Sequence, residues 1–285
     1  MTFLSKRSNS AYLSSIESSN KDTLVQFQHQ MSNYYLKSPY HSNWIKGINA
    51  SWQKETHGAQ ITMCELIPEN ANVLEVGCGD GSAAQELAIR IKGIKYTGVD
   101  LSSDMWQERK DFNFIAARAE QLPFPSASFD VVFSMFVIEH LVFPNVFLDE
   151  AWRVLKPGGS LITIAPNFDV NAMPSEHMGF SYGSGKIKLT QGKLLDAILT
   201  FYDSRIRLPQ VRLKRRKQIQ GGAISFPIFI KPRCLELPDF TPDCDAIYPV
   251  MIEELINYLH KRNDYYESEI FYRNNSVFGL RLSKN

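Results

Sequence analysis

Between residues 73 and 167 the chain alternates short apolar runs with stretches whose apolar positions recur every three or four residues. The runs at 73–76, 95–99, 112–116, 129–135 and 160–165 read as strands. The fourth is apolar enough to be buried on both faces. Residues 83–92 and 145–155 between them have helical composition. Strands alternating with helices imply a parallel sheet with right-handed crossovers. Further helices are expected at 60–67, 192–202 and 250–262, the last with Ile252, Leu255, Ile256 and Leu259 on one side. Residues 267–272 and 276–282 read as strands joined around Asn274-Asn275, a hairpin. The expected fold is α/β: a Rossmann-like seven-stranded sheet, five parallel strands plus a terminal antiparallel pair, flanked by helices.

Two regions fall outside this rhythm. Residues 1–20 are polar and Ser-rich and read as a tail, while 21–70 hold many aromatics, among them Phe27, Tyr34, Tyr35, Trp44 and Trp52. Together 1–70 are expected to form a helical cap over the core. Residues 168–245 are too long for a structureless loop and should form an inserted substrate or lid subdomain. Within it, 205–217 carry seven basic residues and read as an exposed arm or hairpin, and 227–231 as a short strand. The division is therefore 1–70, a core at 71–167, the insertion at 168–245, and 246–285 completing the core.

Charge and cysteine usage narrow the class. Lys and Arg number 31 against 30 Asp and Glu, which removes any global electrostatic case for nucleic acid. The basic run could still meet phosphate, but Leu213 gives it little aromatic interleaving for stacking on bases. Cys64, Cys78, Cys234 and Cys244 lie far apart and read as reduced thiols. No secretory leader opens the chain, and the longest apolar region, 131–147, is interrupted by Ser134, Glu139, His140 and Asn145, so no membrane span is expected. The expected setting is cytoplasmic, as a monomer or a dimer.

The candidate chemistry begins at Glu75-Val76-Gly77-Cys78-Gly79-Asp80-Gly81, where the first strand enters a glycine-rich turn and then a helix. Such a turn brings backbone close to a ligand and exposes N–H groups at the helix start. Asp100 ends the second strand, where an acidic residue can accept two hydrogen bonds from a ribose diol. Its alternative is a helix N-cap before Leu101-Ser102-Ser103. Glu139-His140 follows the fourth strand, at the carboxyl edge where such sheets bind substrate. His140 is the first candidate base, with capping or packing as the other role open to it.

These segments, with Leu122-Pro123-Phe124-Pro125, Phe129-Asp130-Val131-Val132 and Arg153-Val154-Leu155-Lys156-Pro157-Gly158-Gly159, resemble the class I S-adenosylmethionine-dependent methyltransferases, the small-molecule branch above all. The resemblance covers residues 73 to about 167 and implies S-adenosylmethionine as cofactor. By that resemblance Gly77, Cys78 and Gly79 lie along its methionine part, and Glu75 orients its ammonium. Asp100 holds the ribose, and Leu101 and Met105 flank the adenine. Arg118-Ala119 stands where the family has Asp-Ala; Arg118 cannot accept a hydrogen bond, so the Ala119 N–H is left to reach the ring. Ser134 would line the pocket near the sulfonium. The acceptor is expected to be a small molecule, methylated on a hydroxyl of a natural-product or sugar-like compound. His140 and Glu139 are the catalytic candidates, and Asn167, His177, Tyr182, Trp52 and the other aromatics of residues 34–52 the acceptor-pocket candidates. Relatives that bind a metal here carry Glu-x-x-Glu-His; Phe136 replaces the first Glu, and no metal is expected, although Glu139, His140 and His177 would be its ligands. An RNA methyltransferase using the arm at 205–217 and a non-catalytic cofactor-binding protein are the alternatives.

Overall fold

A computed structural model describes residues 20–37, 57–103, 112–169, 185–202, 205–206, 208–230, 232–235 and 245–285. Trp52, Met105, His177, Tyr182 and Cys244 lie outside them. A seven-stranded sheet runs in the order β3-β2-β1-β4-β5-β7-β6. Its strands are β1 (Asn72–Val76), β2 (Lys95–Asp100), β3 (Asn113–Ala116), β4 (Phe129–Met135), β5 (Leu155–Pro166), β6 (Tyr265–Arg273) and β7 (Val277–Lys284). The first five pair in parallel, and β7 enters antiparallel between β5 and β6. The hairpin turn is held by Asn274, whose Oδ1 accepts from the N–H groups of Ser276 and Val277 at 2.8 and 2.7 Å.

Alternation along the strands loads both faces of the sheet. Leu74, Val132 and Leu161 point into one layer, and Val73, Val131, Phe133 and Ile162 into the other. The first layer includes α1 (Lys21–Lys37), through Phe27 and Met31, and α4 (Pro144–Val154), through Phe147, Leu148, Ala151 and Trp152. The second includes α2 (His57–Leu66) and α3 (Ser82–Arg90), through Met63, Ala84 and Leu87. Two segments that repeat the family pattern meet physically. Arg153 donates to the carbonyls of Phe124 (2.7 Å) and Leu122 (3.0 Å), and Glu150 accepts from the Leu122 N–H (2.8 Å). The Leu122-Pro123-Phe124-Pro125 loop is thus pinned by the end of α4.

Three expectations are corrected. The basic run is a helix, α7 (Leu208–Gln220), which follows α5 (Gly185–Thr190) and α6 (Leu194–Tyr202). Its long basic side chains are good helix formers, and it turns Arg215 and Ile219 inward. Residues 227–230 form no strand; the Phe229 N–H bonds singly to the Ile247 carbonyl at 2.8 Å. The strand expected from 160 begins at Leu155, so Lys156-Pro157-Gly158-Gly159 lies inside β5 as an irregularity, where the register to β4 shifts between Phe129 and Val131. Gly158 supplies a φ of +77° there, and a Cβ on Gly159 would lie 2.8 Å from the Asp130 carbonyl oxygen. The last helix is α8 (Ile252–Leu259).

Candidate active site

The glycine turn sits at the carboxyl ends of β1 and β2. Gly77, Gly79 and Gly81 have φ of +77°, +54° and +73°, and a Cβ on Gly77 would lie 2.3 Å from a methyl of Val137. Backbone geometry and close packing therefore both require glycine at 77.

The N–H groups expected to point at a ligand are instead engaged within the protein. Those of Gly77 and Cys78 donate to the Val99 carbonyl at 2.7 and 3.0 Å, that of Gly79 to Asp100 Oδ2 at 2.8 Å, that of Gly81 to the Cys78 carbonyl at 2.8 Å, and that of Ser82 to Asp80 Oδ1 at 2.9 Å. A pyrophosphate is held by such N–H groups, so this turn is poorly built for a dinucleotide. Around it stand three carboxyl groups, those of Glu75, Asp80 and Asp100. Donors already engaged and carboxyl groups close by suit a cation.

Glu75 is buried, and burial pushes its carboxyl up to about 8, an effect only partly offset by the hydroxyl of Tyr96 that donates to it. Asp100 is likewise raised by burial, against the N–H groups of Gly79 and Ser102 that favour its anion. Those donors engage one lone pair on each oxygen, at 2.8 and 3.3 Å, which leaves acceptor capacity for a diol. The donor set fits a ligand that carries both an ammonium and a ribose. Leu101 is half-buried beside Asp100. Cys78 is buried beneath the turn, and burial raises its thiol far above the ordinary range.

The remaining candidates lie after β3 and β4, where side chains of α1 meet them. Arg118 donates to Ser32 of α1 at 2.9 Å, and Gln28 of α1 donates to Glu120 at 2.9 Å. Ala119, next to Arg118, is partly buried against the same core layer. A short 3-10 turn, Ile138–His140, follows β4 and carries the two catalytic candidates. His140 is partly exposed and stands between two buried carboxyl groups. Its Nε2 is 3.8 Å from Glu139 Oε1, and its Nδ1 is 3.7 Å from Asp245 Oδ2. The ring of Tyr35 from α1 lies edge-on at 6.3 Å, and burial, then the Asp245 charge, raise its hydroxyl well above the ordinary tyrosine range. The Glu139 carbonyl accepts from the N–H groups of Ile247 and Tyr248 at 2.8 and 2.9 Å, which fixes the segment carrying Asp245 against the 3-10 turn.

Asp245 was missed in the sequence as a site residue, and Tyr35 was read only as one of the aromatics of residues 34–52. No local pattern links positions 35, 140 and 245; the fold alone joins them. Two candidates fall elsewhere. Ser134 is fully buried and shares a 3.2 Å hydrogen bond with Thr163 of β5, so it fills the sheet face where a pocket lining was expected. Asn167 is buried with its amide donating to the Asn274 carbonyl at 2.5 Å, so it braces the β6–β7 turn. Among the described residues no group of three His, Cys, Asp or Glu side chains is arranged to hold a metal. None of the described helices is long and apolar enough to cross a membrane.

The family model described as a methyltransferase domain matches residues 74–163. A fatty-acid O-methyltransferase of Mycolicibacterium smegmatis is 39% identical over 151 residues, 48% of this chain and 54% of that protein. The ubiquinone/menaquinone biosynthesis C-methyltransferase UbiE of Geotalea daltonii is 31% identical over 129 residues, 41% of this chain and 53% of that protein. The chain spans about half the length of the curated relatives it matches. The chain is similar in fold to a structure from Thermotoga maritima described as a SAM-dependent methyltransferase, possible histamine N-methyltransferase. The TM-score is 0.50 at 17% identity, with 90% of this chain and 99% of that one covered.

Proposed function

This chain carries a class I S-adenosylmethionine-dependent methyltransferase domain at residues 74–163, and we propose that the whole chain moves the cofactor's methyl group onto a hydroxyl of a small-molecule acceptor. The observation that carries the choice of oxygen is His140 held between Glu139 and Asp245. A hydroxyl must lose its proton as the new bond forms, and an imidazole between two carboxyl groups can take that proton, because they stabilise the resulting cation. The name of the Mycolicibacterium relative, a fatty-acid O-methyltransferase, supports oxygen as the element methylated.

Bound S-adenosylmethionine supplies a methyl on a sulfonium that is already a good leaving group, so positioning does most of the work. Glu75 receives the ammonium, and the charge it meets there stabilises its ionised form. Asp100 accepts from the ribose while its own orientation is fixed by Gly79 and Ser102. His140 takes the acceptor's proton. Asp245 is a positioning residue: it fixes the ring against Tyr35 and holds negative charge beside Nδ1.

The test has two arms. Calorimetry with S-adenosylmethionine is expected to show binding by the wild type, weakened at least about tenfold by Asp100→Ala through loss of a charged hydrogen-bond partner. Transfer of labelled methyl to a panel of hydroxylated lipids and phenols is then followed. His140→Ala is expected to keep cofactor binding and lose about 10²–10⁴-fold in turnover. Asp245→Asn is expected to move the acidic limb of the pH–rate profile to lower pH, a change that a purely structural role would not produce. Binding without turnover on any acceptor would instead make this a non-catalytic cofactor-binding protein.

A further inference from the structure

Helices α5 and α6 carry an apolar surface that the methyl-transfer site does not use. They pack on each other, with Ala197, Leu199 and Thr200 buried and Lys188 donating to Thr200 at 2.7 Å. The opposite side of α6 would ordinarily be polar. Here it presents Leu194 (61% exposed), Leu195, Ile198 (54%), Phe201 (64%) and Tyr202, spaced as one helical stripe, and Leu189 of α5 adds to it. Large contiguous apolar surface of this kind marks an interaction site.

Charge says what covers it. Residues 185–220 hold ten Lys and Arg against two Asp and Glu, in a chain whose totals are 31 and 30. Three of these cations adjoin the stripe in the chain: Lys186 is exposed on α5, Lys193 is exposed just before Leu194, and Arg205 lies over the Phe201 ring at 5.7 Å. An apolar face rimmed by cations matches the boundary between acyl chains and anionic headgroups. Single-stranded nucleic acid would call for aromatic platforms along the basic groove, whereas this stripe is mainly aliphatic.

The geometry points to the α5–α6 hairpin as a docking surface for an anionic phospholipid bilayer, with the stripe seated among acyl chains and the flanking cations on headgroups. The inference does not depend on which acceptor is methylated.

Flotation of the full chain with phosphatidylcholine vesicles, with and without phosphatidylglycerol, tests it. The wild type is expected to float with the anionic vesicles and to be released by raised salt. Leu194→Ser with Ile198→Ser is expected to weaken binding at least about tenfold, from loss of buried apolar area. Lys186→Gln and Lys193→Gln are each expected to weaken it about fivefold. All four side chains are exposed, so an unchanged thermal melt certifies folding, and Lys193→Gln alone serves if the double serine variant fails it. Three outcomes overturn the proposal: no flotation of folded wild type, flotation that the substitutions leave unchanged, or loss through those substitutions of self-association or of RNA binding in place of vesicle binding.

Discussion

The buried carboxyl of Glu75 gives the site a pH dependence whose sign is fixed. Folding raises it from the ordinary glutamate value to about 8. Its protonated form is the one the fold accommodates, so its full contribution is present below about pH 4.5 and is lost as pH rises toward 8. Between those limits stability should decline by an amount on the order of a few kcal/mol. Glu75→Gln, which can still accept from Tyr96, is expected to flatten that slope in denaturant titrations at several pH values. The same residue links cofactor binding to protons. Near neutral pH an incoming ammonium should expel the Glu75 proton, so the binding enthalpy should vary with the ionisation enthalpy of the buffer, and Glu75→Gln should abolish most of that variation. Residue by residue, legibility in the sequence was uneven. Glu75, Gly77 and Asp100 could be placed together because the strand–turn–helix order that joins them is local. The Tyr35–His140–Asp245 group could not, because its members come from three distant segments. Ser134 misled because the end of a strand leaves open which face its side chain takes.

At the scale of elements, α7 shows how a charged pattern hides a structural helix. A basic run reads as a solvated surface, yet Arg215 is buried, donates to Glu254 and to the Pro249 carbonyl, and lies over the Tyr248 ring at 5.6 Å. Glu254, itself fully buried on α8, also accepts from the Ser225 and Phe226 N–H groups at 3.0 and 3.2 Å and from the Tyr248 hydroxyl at 2.7 Å. Arg216 donates to the Asp169 carbonyl at 2.7 Å. Helix α7 is thereby fastened to α8 by ionic and hydrogen-bonded contacts where an ordinary helix would use leucine. Breaking a buried pair from one side leaves a charge without its partner, so Arg215→Ala is expected to cost about 3–5 kcal/mol in urea unfolding. Arg215→Met combined with Glu254→Gln should recover much of that loss, since the glutamine still accepts from the Ser225 and Phe226 N–H groups. The parallel strands, by contrast, were legible nearly to their ends except at the start of β5, because a parallel sheet covered on both faces demands continuous apolar runs.

For the whole molecule the decisive feature is the place of β7. It lies inside the sheet, pairing with β5 from Ser160↔Ser283 to Pro166↔Val277, with β6 on its outer side. Lys284 donates to the carbonyls of Trp152 and Leu155 at 2.8 and 3.0 Å, which ties the strand's far end to α4 and β5. Deleting residues 277–284 should therefore abolish cooperative melting, as followed by circular dichroism, and leave no stable, smaller core. The same arrangement sets a timetable on the ribosome. Ser160 leaves the exit tunnel long before Ser283 is made, a delay on the order of ten seconds at ~5–20 residues per second. For that interval β5 has a bare, apolar edge of the sort that recruits stray strands. A chaperone that shields nascent chains has its work on this protein defined by that gap, and slower translation of the last third of the message would lengthen the exposure.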